Sequence, residues 1–107
     1  MSPPPNSSDP APGADAPGAV TRIMKIINEK GLHARASAKF VQTVEKFDAA
    51  VRVLRNGESV GGDSIMGLMM LAAGIGSSIT VTATGPEAAQ VIAALDALIA
   101  SKFGEDE

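Results

Sequence analysis

The dipeptide Asn56-Gly57 sets the strictest limit on how this chain can fold, because it lies between two short runs that form strands readily. Both of its residues tolerate the positive φ angles that a tight turn between antiparallel strands requires. We therefore predict a hairpin with strands at residues 49–55 and 58–60. Any sheet that contains this hairpin has at least one antiparallel pair.

Strand and helix periodicities alternate along the rest of the chain. Residues 20–27 and 78–84 alternate as strands do. Apolar spacing, capping residues and terminating glycines predict helices over residues 34–46, 64–73 and from Pro86 to about residue 102. The order β-α-β-β-α-β-α predicts an α/β (α+β) fold, an open-faced β-sandwich with three helices on one face of a four-stranded, largely antiparallel sheet. A ferredoxin-like variant is the nearest alternative.

The chain of 107 residues is predicted to form one small domain with two short ends. Six of its seven prolines lie in residues 1–18, where the composition cannot bury enough apolar surface to fold, so we expect a disordered Pro-rich tail. The domain is assigned to residues 19–104 and an acidic C-terminal tail to residues 105–107.

Composition excludes several classes of function. With no cysteine and one histidine, the chain has no disulfide, thiolate metal site or multi-histidine site; carboxylate sites remain open, but we expect no metal or other cofactor. A net charge of −3 and only three aromatic residues argue against nucleic-acid binding. No stretch reaches the roughly 20 apolar residues that span a bilayer, so we expect no membrane binding. The lack of cysteine favours the cytoplasm, and we expect a monomer.

The one histidine, His33, lies where the first predicted helix begins. The first N–H groups of a helix lack internal partners and the helix dipole is positive there, so the position favours an anion bound to, or carried by, the imidazole. Arg35 lies in the same first turn, where a cation opposes the dipole, and this placement indicates an anionic partner such as phosphate. Without further support, a lone histidine is more often a surface or capping residue.

Two segments resemble signatures of the histidine-containing phosphocarrier proteins (HPr) of the bacterial phosphoenolpyruvate-dependent phosphotransferase system. Residues 31–41, Gly-Leu-His-Ala-Arg-Ala-Ser-Ala-Lys-Phe-Val, resemble the active-site loop of that family. Residues 64–69, Ser-Ile-Met-Gly-Leu-Met, resemble its second signature, and Ser64 follows His33 by 31 residues, as in the family. Residues 83–86 and the acidic end resemble the nitrogen-related branch. The resemblance covers residues 19–104.

The resemblance implies a phosphocarrier rather than an independent enzyme. His33 would accept phosphate through Nδ1 from phosphorylated Enzyme I and pass it to an Enzyme IIA-type protein, with Arg35 stabilising the phosphate. The family usually has proline after this arginine, and the Ala36 of this chain contributes an N–H that could bind phosphate, or loosens the loop. Lys30 also departs from the small polar residue that is common there.

The second predicted helix is the candidate docking surface, because it is apolar nearly all round and cannot be enclosed on every side. The resemblance places Ile65, Met66 and Met69 outward beside the histidine, whereas Leu68 and Leu71 fit the core. Lys30 and Lys39 would add a basic rim for acidic partners, although a solvated charge describes Lys39 equally well.

Ser64 matches the serine that a serine kinase phosphorylates in some members of the family, and a phosphorylase would reverse the reaction. A helix-capping role is an equal alternative, because Asp63 stands where many regulated members have lysine. A second function class also fits these residues: a regulatory binding module in which phosphorylation of His33 or Ser64 controls docking to target proteins.

Overall fold

The computed structural model describes residues 19–105. Its elements are β1 (Val20–Lys25), α1 (Ala34–Val44), β2 (Ala50–Arg55), β3 (Glu58–Gly61), α2 (Ile65–Met70), β4 (Ser78–Thr84) and α3 (Ala88–Ala100), and a short 3-10 turn follows at Lys102–Gly104. The predicted tail at residues 1–18 and the last two residues of the predicted acidic tail lie outside the described residues. Within residues 19–105, no helix is both long enough and apolar enough to cross a membrane.

The four strands form one sheet in the order β1-β4-β2-β3, and each neighbouring pair is antiparallel. Asn56 and Gly57 both have positive φ, and they connect β2 to β3 as the predicted hairpin. The open-faced fold predicted from the sequence is therefore confirmed. A ferredoxin-like arrangement is also antiparallel but has β1 in the interior of the sheet beside β3, whereas here β1 is an edge strand and its neighbour is β4.

One continuous core lies between the sheet and the three helices. Alternate residues of the strands point into it, and their burial explains why the apolar residues recur at every second position. α1 contributes Phe40, while α3 contributes Val91 and Leu95. The opposite face of the sheet carries Thr21 and Thr82, whose hydroxyl groups are 3.1 Å apart. Burial on one face and polar side chains on the other fit an antiparallel sheet that is covered on one side.

Several predicted element boundaries differ from the structure by one to three residues. β1 ends at Lys25 rather than residue 27, because its last paired partner is Ser78, the first residue of β4. α1 ends at Val44 and α3 begins at Ala88, about two residues inside the predicted helices. α2 spans only Ile65–Met70, and not residues 64–73, because the chain turns into a left-handed conformation at Ala72 (φ 53°).

The loop between β1 and α1 is fixed against the segment that follows α2. Gly31 has a φ of 66°, and a Cβ at this position would lie 2.4 Å from the carbonyl oxygen of Ala73. The next residue, Leu32, is buried and its N–H donates to the same carbonyl at 2.9 Å. Only glycine fits this close approach, so the backbone just before His33 is held firmly.

Candidate functional site

His33 is the N-cap residue of α1, with an extended backbone (φ −76°, ψ −177°). Its carbonyl accepts from the N–H of Ser37 at 2.8 Å, which closes the first turn. The imidazole does not cap the helix, and within residues 19–105 the N–H of Ala36 has no hydrogen-bond partner. The side chain is 27% exposed, so the ring is accessible at a helix N-terminus that still has donors to offer.

The imidazole contacts a carboxylate from the far end of the chain. Nε2 of His33 is hydrogen bonded to Oε2 of Glu105, whose side chain is 9% exposed. The side-chain amide of the fully buried Asn28 donates to Oε1 of Glu105 at 3.1 Å and to the carbonyl of Gly31 at 2.9 Å. Asn28, Glu105 and His33 therefore form one network, which we call the Glu105 network.

The charge on Glu105 is stabilised by its neighbours. Burial alone raises the pKa of this carboxyl, but hydrogen bonds from His33 and Asn28, together with the positive charge of Lys30, outweigh it and leave the pKa below its usual value. Glu105 is therefore an ionised hydrogen-bond acceptor at neutral pH. It gives the site a fixed negative group beside the ring.

The C-terminal segment that carries Glu105 is anchored in two ways. Phe103 is fully buried in the core although its φ is positive (57°), as is that of Lys102 (58°). The ammonium group of Lys39 donates to the carbonyl of Phe103 at 2.6 Å. Lys39, for which the sequence leaves a basic rim and a solvated charge equally open, is half-buried and binds the backbone of this segment.

The other predicted phosphate and rim residues lie on the surface. Arg35 is exposed in the first turn of α1, and no carboxylate within the described range forms an ion pair with it. Lys30 is also exposed, and its charge acts on Glu105. Ala36 is fully buried, so a methyl group occupies the core where the resemblance leads one to expect a proline ring.

Helix α2 begins with a satisfied cap. The N-cap Ser64 accepts from the N–H of Gly67 through Oγ at 3.0 Å, and its carbonyl accepts from the N–H of Leu68. Leu68 and Leu71 are buried in the core, as predicted. Asp63 precedes the cap and is exposed.

The remaining side chains of α2 form an apolar surface, which we call the α2 patch: Ile65, Met66, Met69 and Met70. Met66 and Met70 are each about seven-tenths exposed, at 70% and 71%. Methionine adapts to differently shaped partners because its side chain is flexible and polarizable. Ile75, in the loop after α2, is exposed too. Over residues 19–105 no group of three or more His, Cys, Asp or Glu side chains could hold a metal ion.

Sequence reasoning missed Asn28 and Glu105, and it left Met70 and Ile75 out of the exposed apolar residues. The partners of Glu105 are 72 and 77 positions away in the chain, so no local pattern marks the contact. Glu105 was assigned to the acidic tail from composition alone, and its side chain lies against His33. The one available signal was Asn28 itself, a polar residue directly after an apolar strand.

Comparisons with known proteins agree with this geometry. The family described as "PTS HPr component phosphorylation site" matches residues 20–101. Phosphocarrier protein HPr of Cupriavidus necator is 55% identical over 86 residues, which cover 80% of this chain and 97% of that protein. Phosphocarrier protein NPr of Shewanella violacea is 36% identical, with 78% and 92% covered. The crystal structure of HPr-C-His from Thermoanaerobacter tengcongensis superimposes with a TM-score of 0.79 at 40% identity, covering 82% of this chain and 99% of that one.

Proposed function

The chain belongs to the HPr family, the phosphocarriers of the phosphotransferase system, and we propose that His33 is the residue on which it carries phosphate. Members of this family are phosphorylated on histidine as an intermediate and are not catalytic enzymes. Relatives named HPr and NPr both occur, so the nitrogen-related branch considered from the sequence is represented among them. Both names denote phosphocarriers, which favours carriage over the regulatory binding module.

One observation carries the assignment: the only histidine of the chain is the N-cap residue of α1, and its ring does not cap the helix. A phosphoryl group on the ring would lie near the positive end of the helix dipole. Neutral imidazole is a good nucleophile for phosphorus. Catalysis of phosphoryl transfer depends mostly on the positioning of the reacting groups and on nearby charges that stabilise the phosphoryl oxygens.

Arg35 and the first-turn N–H groups are the proposed phosphate ligands. The guanidinium group of Arg35 is exposed within the first turn, and its planar donors suit phosphate oxygens. The Ala36 N–H adds a donor that proline would lack, and its hydrogen-bonding capacity is unused by residues 19–105. We propose the first of the two effects considered for Ala36, an additional donor to a phosphate held on the adjacent ring, since the residue itself is fully buried.

The proposed donor is phosphorylated Enzyme I and the proposed acceptor is an Enzyme IIA-type protein. The α2 patch supplies an exposed apolar surface, and Lys30 adds a positive charge near the phosphorylation site for acidic partners. Lys39 contributes less to this surface than expected, because its ammonium group is bonded to Phe103. We propose that transfer takes place between monomers in the cytoplasm, as predicted from the sequence.

Regulation at Ser64 by a serine kinase and phosphorylase is a separate proposal. Its hydroxyl is half-buried and holds the N–H of Gly67, so phosphorylation would replace the cap by a phosphate at the N-terminus of α2. The added charge would stand beside the α2 patch and repel acidic partners. Incubation with ATP and cell extract, followed by a search for acid-stable phosphoserine, tests this role independently of His33.

The carrier function is tested by incubating the protein with phosphoenolpyruvate and Enzyme I. We expect one acid-labile phosphate on His33 in the unchanged chain and none in the His33→Ala variant. Adding an Enzyme IIA-type protein should then remove the label from the carrier. Labelling of His33→Ala to the normal extent would contradict the assignment.

A further inference from the structure

We propose that Glu105 is a positioning residue for phosphoryl transfer, which holds the Nε2 proton of His33 so that Nδ1 is the nucleophilic nitrogen. The inference rests on the carrier role proposed for His33 and deepens it. It concerns a residue in the acidic end of the chain, 72 positions after His33 and outside the two segments that resemble the HPr signatures.

Hydrogen-bond chemistry fixes the location of the proton. An ionised carboxylate can only accept hydrogen bonds, so Nε2 must be the donor in its contact with Oε2 of Glu105. A neutral imidazole has one N–H, and with that proton on Nε2 the lone pair available for attack is on Nδ1. No residue between 19 and 105 hydrogen bonds to Nδ1, which agrees with this assignment.

The transfer step balances without release of a proton. The Nδ1 lone pair forms a bond to phosphorus, while the bond from phosphorus to the donor breaks and its electron pair leaves with the donor. Nε2 keeps its proton, so the phosphorylated ring carries a positive charge, which the Glu105 carboxylate neutralises. Onward transfer reverses these changes: the N–P electron pair returns to Nδ1 and the acceptor takes the phosphoryl group.

The contact is built from both sides. On the Glu105 side, the burial of Phe103 and the hydrogen bond from Lys39 to its carbonyl hold the segment in place. Lys102 and Phe103 both have a left-handed backbone, which turns the chain before Glu105. On the His33 side, Asn28 joins Glu105 to the Gly31 carbonyl of the rigid loop. Asn28 is fully buried and its Oδ1 has no partner among the described residues, a cost that its two amide hydrogen bonds offset. Such an arrangement favours a specific role over an incidental surface contact.

The test compares Glu105→Ala and Glu105→Gln with a matched control, Glu45→Gln. Glu45 is an exposed carboxylate at the other end of α1, about 16 Å away along an 11-residue helix. The two readouts are the tautomer of His33 at neutral pH, from 15N NMR of the imidazole, and steady-state phosphorylation by Enzyme I and phosphoenolpyruvate with the carrier concentration varied.

We expect the unchanged chain and Glu45→Gln to show the Nε2–H tautomer. Glu105→Ala should give a mixture of tautomers and lower kcat about tenfold, the scale seen when a group that orients a histidine is removed, with KM for the carrier unchanged. Glu105→Gln keeps the size and hydrogen-bonding capacity of the side chain but loses the charge, so its kcat should fall between the two.

Tautomers and kcat values for both Glu105 variants equal to those of Glu45→Gln would overturn this inference, while labelling of His33 would leave the carrier function intact. Failure to label His33 in the unchanged chain would instead refute the carrier function. A fall in kcat with an unchanged tautomer also counts against positioning, because loss of charge alone would then explain it. The Gln variant retains the side-chain volume, so these comparisons hold even if the Ala variant folds poorly.

Discussion

Helices α1 and α2 begin with the same backbone hydrogen bond, but only α2 has a side chain that binds one of its first N–H groups. In each, the carbonyl of the N-cap residue accepts from the fourth helical residue, at 2.8 Å from Ser37 to His33 and 3.0 Å from Leu68 to Ser64. At α2 the Ser64 hydroxyl also binds the N–H of Gly67, whereas at α1 the matching N–H, of Ala36, has no partner within residues 19–105. The third N–H of α2 is bound by its N-cap side chain, whereas the third N–H of α1 is left without a partner among residues 19–105.

The difference shows how a small domain can separate stability from function. Ser64 follows the usual preference for a hydroxyl at the N-cap, which stabilises a helix by about 1 kcal/mol. His33 gives up that contribution and commits its ring to Glu105 instead. We interpret the unsatisfied terminus as the cost of leaving a site where phosphate can bind.

His33→Ser would give α1 the kind of cap that α2 has. His33→Ser should abolish phosphorylation by Enzyme I, as His33→Ala does, because the nucleophile is gone. Both variants lose the contact with Glu105, but serine can bind the Ala36 N–H. The serine variant should therefore be more stable than the alanine variant by about 1 kcal/mol in urea unfolding. Equal stability of the two variants would show that the terminus of α1 does not need a cap.

Arg35→Ala tests whether the open terminus binds its anion with help from a side chain. We expect the rate of phosphorylation to fall about 100-fold, as when one donor to a developing anionic charge is removed. Unfolding free energy should stay the same or rise by up to about 1 kcal/mol, because a cation leaves the positive end of α1. Arg52→Ala, which removes an exposed arginine from β2, is the control and should leave the rate unchanged. Similar rates for both variants would exclude a special role for Arg35.

Ser64→Ala removes the cap of α2. The unfolding free energy should fall by about 1 kcal/mol, which lowers Tm by about 4–8 °C for a domain of this size, while phosphorylation of His33 continues at nearly the normal rate. Ser78→Ala serves as the control, because the exposed Ser78 makes no side-chain hydrogen bond within residues 19–105. If both serine variants lose the same stability, the Ser64 hydroxyl contributes nothing as a cap.

Glu105 should also make the unfolding free energy depend on pH, and we expect this effect to be small. Its pKa in the folded protein is below the usual value, so its contribution is complete above the unfolded pKa of about 4.3 and is lost as pH falls through the folded pKa. The unfolding free energy of the unchanged chain minus that of Glu105→Gln should therefore decrease as the pH is lowered below about 5. Urea unfolding at each pH measures this difference. A constant difference would mean that the folded protein does not perturb Glu105.

Local sequence signals predicted the helices and strands well, but they did not predict the order of the strands in the sheet. Asn56-Gly57 predicted the hairpin because two adjacent residues determine the turn. No local signal places β4 between β1 and β2, since that pairing joins distant strands. The early end of α2 depends on the left-handed backbone of Ala72. Alanine rarely adopts this conformation, and the neighbouring residues in the sequence do not predict it.

The residues of the candidate site also fall into two groups, those that local sequence marks and those that only the fold brings together. His33, Arg35 and Ser64 belong to helix termini, where residue type and position carry chemical meaning, so sequence could nominate them. Glu105 and Asn28 acquire their roles only when both ends of the domain meet. Lys39 shows the reverse case, because a lysine that reads as a surface charge is held by a carbonyl from the last turn.

The contact between His33 and Glu105 also bears on how this protein should be produced. A purification tag fused after Glu107 would begin three residues beyond a side chain that touches the proposed phosphate carrier. Such a tag adds bulk and charge where Enzyme I would approach. A tag placed before the Pro-rich residues 1–18 is separated from the domain by that segment in sequence, and preparations made in this way are the appropriate material for kinetic work.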